Sequence, residues 1–364
     1  MKVLHIFNSL MPSGAETMWV SAAPILTKEG IATHVVATQS ELGSYAETME
    51  KAGFKVWHVR HHRRRLWDWR YCLDMFRLMR REKFDAVQIH PEAWRLTNVV
   101  IARIAGVRRI STTIHSCFHF TGLKRLQRVV IVFIIRLFCA RIVVCGESVQ
   151  VAERAYNTKS LLIWNWYDKA RFDINSKRGC VVTRRDLGVP ESAKVLACVG
   201  NCNRIKNHIL LLKALALLPS NCWLLHIGTE DEARTHEIEL ATSLGVWERC
   251  RFLGKRNDVA LLLSASDIFV MPSLHEGLSI ACIEALALGL PAVVSDVEGL
   301  RDFVKYIPTC AKAPLEENGF AEKIREVLLL SSNEMDERKA EATKVISEMF
   351  NLKSNVAKYI NLWK

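Results

Sequence analysis

Apolar and β-branched residues gather in short runs at residues 3–7, 33–37, 55–59, 85–89, 110–114 and 141–145, each only as long as a strand. Between them lie segments with the three-to-four-residue apolar spacing of helices, such as 16–28 and 70–82. Continuous apolar strands alternating with helices predict a parallel sheet in an α/β domain. After residue 190 the pattern starts again, with strand-like runs at 195–199, 223–227, 251–253, 268–271 and 292–294. The expected organisation is two domains of the same class: 1–170, a connection at 171–190 rich in turn-forming residues such as Gly179, Gly188 and Pro190, and 191–345. A last helix, 346–364, is expected to pack back on the first domain.

The chain has 364 residues, more than one hydrophobic core usually serves, which agrees with two domains. Its charge is unevenly distributed. Residues 1–170 hold 25 Lys and Arg against 13 Asp and Glu, whereas residues 171–364 hold 25 of each, so the first half carries the whole surplus of 12. Eleven cysteines occur without a Cys-x-x-Cys pair, and Cys145, Cys198 and Cys282 fall in apolar stretches. They read as reduced core residues, and with no signal-like opening they point to the cytoplasm. The longest apolar run, 129–135, ends at Arg136 and is far short of the roughly 20 residues that span a bilayer.

Chemistry concentrates where strands are expected to end. Glu276 and Gly277 follow the run at 268–271, and Glu284 falls among Ile283, Ala285 and Leu286 in an apolar helix closed by Gly289 and Pro291. An unpaired carboxylate buried there costs several kcal/mol, so Glu284 needs a partner. The helix start at Leu278 and Ser279, with Gly277 allowing close approach, suits an anion. Two acceptor-only carboxylates suit hydroxyls. The alternative is a strand, turn and helix that happen to carry two glutamates. Gly200, Asn201, Arg204 and Lys206 occupy another strand-to-helix loop, and Gly228 and then Gly254, Lys255 and Arg256 occupy two more. Arg204 and Lys206 are read as phosphate-facing cations, or else as a solvated helix start. The loop after the first strand, Ser13-Gly14-Ala15-Glu16, lacks Gly-x-Gly-x-x-Gly, which argues against a dinucleotide-dependent oxidoreductase. No Asp-x-Asp motif and no His/Cys cluster with ligand spacing is seen, so no metal site is expected.

Glu276-x7-Glu284, with Asp267 to Ser273 before it, Lys206-Asn207-His208, Phe252-Leu253-Gly254 and Gly299-Leu300-Arg301-Asp302, resembles the retaining glycosyltransferases of family 4. Asn165, Asp168 and Phe172 extend the resemblance towards the connection. It implies the GT-B fold, two facing Rossmann-like domains with an interdomain cleft, and transfer of a sugar from a nucleotide-diphosphate donor, a UDP-sugar, with retention, without cofactor or metal. By the same resemblance Arg204 and Lys206 meet the leaving diphosphate, and Glu284 holds the ribose diol. Glu276 holds the donor sugar's hydroxyls, the loop at Gly254–Arg256 reads the base, and Gly14 admits the phosphate. His115, after a strand, either contacts the donor sugar or assists the acceptor, or is structural. The chain departs from the pattern at Asn201, where arginine is usual, at Ser13 and Trp166, where glycine is usual, and at Leu278-Ser279 in place of Phe-Gly.

His61 to Arg70, with four arginines and two tryptophans, and Lys124, Arg125, Arg128, Arg136 and Arg141 around the run at 129–135 are read as a surface for anionic lipid, against the alternative of a basic loop and a core helix. This fits a lipid-linked or oligosaccharide acceptor in bacterial surface polysaccharide assembly, a peripheral place at the inner face of the cytoplasmic membrane, and no nucleic-acid partner. The rival readings are a nucleotide-sugar epimerase of the same architecture and a non-catalytic lipid-binding protein on a transferase scaffold.

Overall fold

The structure, a computed structural model, describes residues 1–61, 68–138, 140–172, 182–229 and 233–364. Contacts divide it into one unit of Met1–Trp166 with Asn351–Lys364 and another of Tyr167–Phe350. The connection expected at 171–190 lies in part, at 173–181, outside the described residues.

The first unit is built on seven strands, β1 (Lys2–Phe7), β2 (Ala32–Ala37), β3 (Lys55–His58), β4 (Ala86–Ile89), β5 (Arg109–Ile114), β6 (Arg141–Val144) and β7 (Ser160–Leu162). Every pairing is parallel, in the order β3-β2-β1-β4-β5-β6-β7. β1 and β2 bury every residue after their first, which is why both read as continuous apolar runs. β7 is three residues at the sheet edge, half exposed, and left no such run.

Trp166 is fully buried; its indole N–H donates to the Met18 carbonyl at 3.0 Å and its ring packs edge-on to Trp19 at 5.1 Å. The departure from glycine at this position therefore fills a core. The closing helix, Leu352–Trp363, adds Tyr359 and Trp363 to the same cluster, and Tyr359 Oη lies 3.1 Å from Thr113 Oγ1 on β5.

The helix Gly122–Leu137 divides the apolar run at 129–135 between two faces. Arg128, Val132 and Ile135 are buried, while Leu123, Leu126, Val130, Phe133 and Leu137 are between 47% and 70% exposed. Arg128, expected at a lipid surface, is instead buried in ion pairs with Glu153, at 2.5 Å, and with Glu92, because an inward-facing guanidinium needs carboxylates around it. Among the described residues no helix is long and apolar enough to cross a membrane.

The second unit has six parallel strands, β8 (Lys194–Val199), β9 (Cys222–Ile227), β10 (Cys250–Phe252), β11 (Ile268–Met271), β12 (Ala292–Ser295) and β13 (Cys310–Ala313), in the order β10-β9-β8-β11-β12-β13. β13, Cys-Ala-Lys-Ala, has little β-propensity and was not evident as an apolar run. In this sheet the winding reverses between β8 and β11, as it does between β1 and β4 in the first. The crevice outside the strand ends at such a reversal is where doubly wound sheets receive ligands.

Candidate functional site

The loop after β8 and the loop after β11 meet at the reversal of the second sheet. Lys206 Nζ lies 2.5 Å from Glu276 Oε1, both side chains mostly buried, at 24% and 14% exposure. Glu276 Oε1 also accepts from Ser273 Oγ at 2.9 Å. Three further bonds hold the loops in register. Asn207, in the left-handed conformation at φ 54°, donates its side-chain amide to Pro272 O at 3.1 Å. The Leu274 amide donates to Ile205 O at 2.8 Å, and Ser295 Oγ on β12 donates to Ser273 O at 2.5 Å.

Gly200 makes room for Lys206, whose side-chain carbons a Cβ there would meet at 3.3 Å. Behind it, a Cβ on Gly228 would stand 2.0 Å from Gly200 O, so the ends of β8 and β9 approach as only glycine permits. The Gly228 amide in turn donates to Gly254 O at 3.0 Å, bringing three glycines together along successive strand ends. On the other side Gly299, at the start of the helix Glu298–Tyr306, faces the backbone of Glu276 and Gly277. A Cβ would stand 2.2 Å from Gly277 O.

Glu284 lies on the helix Ile280–Ala287, 8% exposed. Burial pushes its pKa up to about 7, opposed by the Arg171 guanidinium, whose Nη1 is 3.9 Å from Oε1. Arg171 was not singled out from the sequence; as the first residue of the expected connection at 171–190 it had the look of a linker residue. Ser279 caps the same helix, accepting from the Cys282 amide at 3.4 Å, and Gly277 and Leu278 are buried before it.

The other predicted residues are placed less tightly. Arg204, Lys255 and Arg256 are exposed; Arg204 has no ion pair among the described residues, and Arg256 is held by Asp258 through bonds of 2.6 and 2.8 Å. Asn201 Oδ1 accepts from the Thr229 amide at 3.2 Å, so it braces the loop. Gly14 and His115 belong to the first unit. Gly14 opens the helix Gly14–Lys28, where Ser13 Oγ donates to Glu16, a carboxyl that burial raises to about 7. His115 Nε2 lies 3.1 Å from His90 Nδ1, and His90 Nε2 lies 3.3 Å from His5 Nδ1. Burial lowers all three, His5 to about 3 and His115 to about 4. His115 is thus the outer member of a histidine chain that spacing in sequence did not reveal.

No cluster of metal-type ligands was read from the spacing, yet Cys202, His208 and His226 each offer a ligand atom within 4.8 Å of the others, all buried. The set is split between a loop, a helix start and β9, and only the fold assembles it.

The fold and the strand-end site define the class: a two-unit, doubly wound α/β protein of GT-B architecture. A family model described as Glycosyl transferases group 1 matches residues 182–345, and one described as Glycosyltransferase Family 4 matches residues 12–171. The chain belongs to the family 4 glycosyltransferases. UDP-Gal:alpha-D-GlcNAc-diphosphoundecaprenol alpha-1,3-galactosyltransferase of Escherichia coli is 26% identical over 84% of this chain and 81% of its own length. Lipopolysaccharide core biosynthesis glycosyltransferase LpsE of Rhizobium meliloti is 34% identical over 45% of this chain and 47% of its own. The solved structure of Anabaena Alr3699/HepE in complex with UDP shares the fold, with a TM-score of 0.82 at 19% identity, covering 99% of this chain and 100% of that one.

Proposed function

We propose that this glycosyltransferase moves a sugar from a nucleotide-diphosphate donor, a UDP-sugar, to a lipid-linked or oligosaccharide acceptor, retaining the anomeric configuration, in cell-surface polysaccharide synthesis. The observation that carries the reading is the Lys206–Glu276 pair at the β8/β11 reversal, an ammonium and a carboxylate at the ligand-receiving end of the sheet. Departure of a nucleoside diphosphate leaves negative charge, and an ammonium already fixed in place stabilises it without reorganisation. In this reading Lys206 keeps one N–H on Glu276 and turns the others to the phosphates. Arg204 and the positive end of the helix beginning at Ile280 add to the field. Glu276 accepts from sugar hydroxyls, and Glu284 from the ribose diol, whose O–H groups repay the burial of its charge. Lys255 and Arg256 with Gly254 border the base. Gly14 admits the phosphate, and His115 faces the donor sugar. No cofactor or metal enters the transfer. The UDP-sugar and diphosphoundecaprenol-linked acceptor in the name of the Escherichia coli relative support the choice of substrates.

The helix Gly122–Leu137 supports the lipid part of the reading. Its exposed stripe of Leu123, Leu126, Val130, Phe133 and Leu137 is accompanied by exposed Lys124, Arg125 and Arg136, an apolar face with cations beside it that fits the interface of an anionic membrane. On this reading the protein works at the cytoplasmic face of a membrane. Arg63, Arg64, Arg65 and Trp67 of the basic segment lie outside the described residues.

The test incubates the purified protein with UDP- and GDP-sugars, with and without a diphosphopolyprenol-linked sugar. The expected result is nucleotide release that depends on acceptor, with an α-linked product from an α-linked donor. Epimerised donor without transfer would replace this reading with the epimerase.

A further inference from the structure

We propose that Cys202, His208 and His226 form a binding site for a zinc-class divalent cation, which pins the Lys206 loop to the sheet behind it. Cys202 lies in the loop after β8, His208 is the first residue of the helix His208–Leu217, and His226 belongs to β9. All three are at most 3% exposed.

The hydrogen bonds around the two imidazoles leave one nitrogen of each available. His208 Nδ1 lies 3.0 Å from Glu237 Oε1, on the helix Ala233–Ser243, while its buried Nε2 has no hydrogen-bond partner among the described residues. In the neutral ring with Nδ1–H donating to the carboxylate, Nε2 carries a lone pair; the Cys198, Cys202 and Glu237 neighbours favour the protonated ring, so a bound cation takes the place of the Nε2 proton. His226 Nε2 lies 2.9 Å from Gly200 O, an acceptor, so that nitrogen carries its proton and Nδ1 the lone pair. Each ring thus has the outer partner, a carboxylate in one case and a backbone carbonyl in the other, that orients a metal-binding histidine. Cys202 Sγ is 3.8 Å from His226 Nε2 and 4.0 Å from its Nδ1. Around tetrahedral zinc, sulfur and nitrogen donors stand roughly 3.5 Å apart, so a shift of about half an ångström closes the pair. Cys198, on β8, interacts electrostatically with His208 and stands beside the set for a fourth position.

A core filled with apolar residues has no use for a partnerless imidazole nitrogen and a carboxylate that is itself left with one oxygen, Glu237 Oε2, unpartnered among the described residues. A cation accounts for the nitrogen, and Glu237 orients the ring that carries it. On binding, the Cys202 S–H bond breaks, its proton leaves to solvent and a metal–sulfur bond forms. The consequence lies four residues from Cys202 and two from His208, at Lys206. The site stands apart from the transfer chemistry, and the inference holds whatever the donor is.

The test uses the full-length, untagged protein, stripped with chelator and titrated with Zn(II), then with Co(II) as an optical probe. The expected result is one tightly held Zn(II) per chain, a higher thermal midpoint with the metal, and a thiolate-to-cobalt absorption band. Cys202→Ser abolishes that band and Cys72→Ser, a half-buried thiol elsewhere, retains it. Glu237→Gln keeps all three ligands and weakens Zn(II) binding about 10- to 100-fold, which separates coordination from simple misfolding of a ligand variant. Wild-type protein that holds no stoichiometric Zn(II), or Cys202→Ser that holds it equally well with the same Co(II) spectrum, overturns the proposal.

Discussion

Lys206 and Glu276 are 70 residues apart in the chain and 2.5 Å apart in space, joined across the reversal between β8 and β11. A cation that already has a carboxylate partner is held in one place before any ligand arrives, and little is lost in orienting it. Removing it leaves Glu276 with the Ser273 hydroxyl as its hydrogen-bond partner among the described residues and the site with one cation fewer.

Lys206→Ala is therefore expected to lower turnover by about 100- to 1000-fold, some 3–4 kcal/mol, the scale of losing one preorganised donor to a developing anion. Acceptor-dependent nucleotide release, measured on protein whose circular dichroism matches wild type, checks it. Turnover within a few-fold of wild type removes Lys206 from the reaction.

Glu284 has a folded pKa of about 7, above its ordinary value, because burial disfavours the charge. The sign follows: ionising it costs stability as pH rises from the ordinary carboxylate range towards 7, while hydroxyls that donate to it bind the ionised form. UDP affinity is expected to rise about tenfold from pH 6 to pH 8, following the ionised fraction. Calorimetric titration across that range measures it, and Glu284→Gln is expected to bind weakly with a flat profile. A profile in wild type as flat as that of the variant counts against the ribose role.

Gly299→Ala forces a methyl group against the carbonyl oxygens of Gly277 and Glu276, both backbone atoms that a rotamer change cannot move. The expected cost is about 1–3 kcal/mol of stability in urea unfolding, with a raised KM for the donor as the Glu276 loop shifts. Unchanged KM and unfolding midpoint would mean the loop yields freely.

The exposed stripe on the helix Gly122–Leu137 predicts that Leu126→Asp with Phe133→Asp lowers co-sedimentation with anionic vesicles several-fold while leaving the thermal midpoint near wild type, since both side chains are 59% exposed. Equal sedimentation of variant and wild type assigns the contact elsewhere.

Acid should loosen the first unit. His5, His90 and His115 have folded pKa values below the unfolded histidine value near 6.5, so the unfolded chain takes up protons first as pH falls. The stability these groups allow is present above about 6.5 and is lost below it, by up to about 1.4 kcal/mol per pH unit for each histidine. Glu16 and Glu284, raised by burial, shift in the opposite direction between their ordinary range and 7. The informative comparison is thus His5→Phe with wild type: unfolding at pH 7 and pH 5 should show a smaller loss in the variant, and identical losses would contradict a buried neutral His5.

Periodicity in the sequence disclosed eleven of the thirteen strands among the described residues and the alternation that makes both sheets parallel, because each buried strand must be apolar on both faces. It did not disclose β7 and β13, edge strands too short or too small in side chain to form an apolar run. The same periodicity merged the two faces of the helix Gly122–Leu137 into one apolar run, since seven adjacent apolar residues carry no record of which ones face water.

The strand-end loops were legible for a similar reason: glycines, Lys206 and the two glutamates each follow an apolar run, and doubly wound sheets receive ligands there. Which of these residues touch was decided by strand order alone. Placing β8 beside β11 joins Lys206 to Glu276, placing it beside β9 joins Cys202 and His208 to His226, and placing β1 beside β4 and β4 beside β5 lines up His5, His90 and His115. A linear chain records each residue's own chemistry and its near neighbours. The pairing of distant strands sets which charges, lone pairs and thiols share one dry space, and that is a property of the tertiary structure.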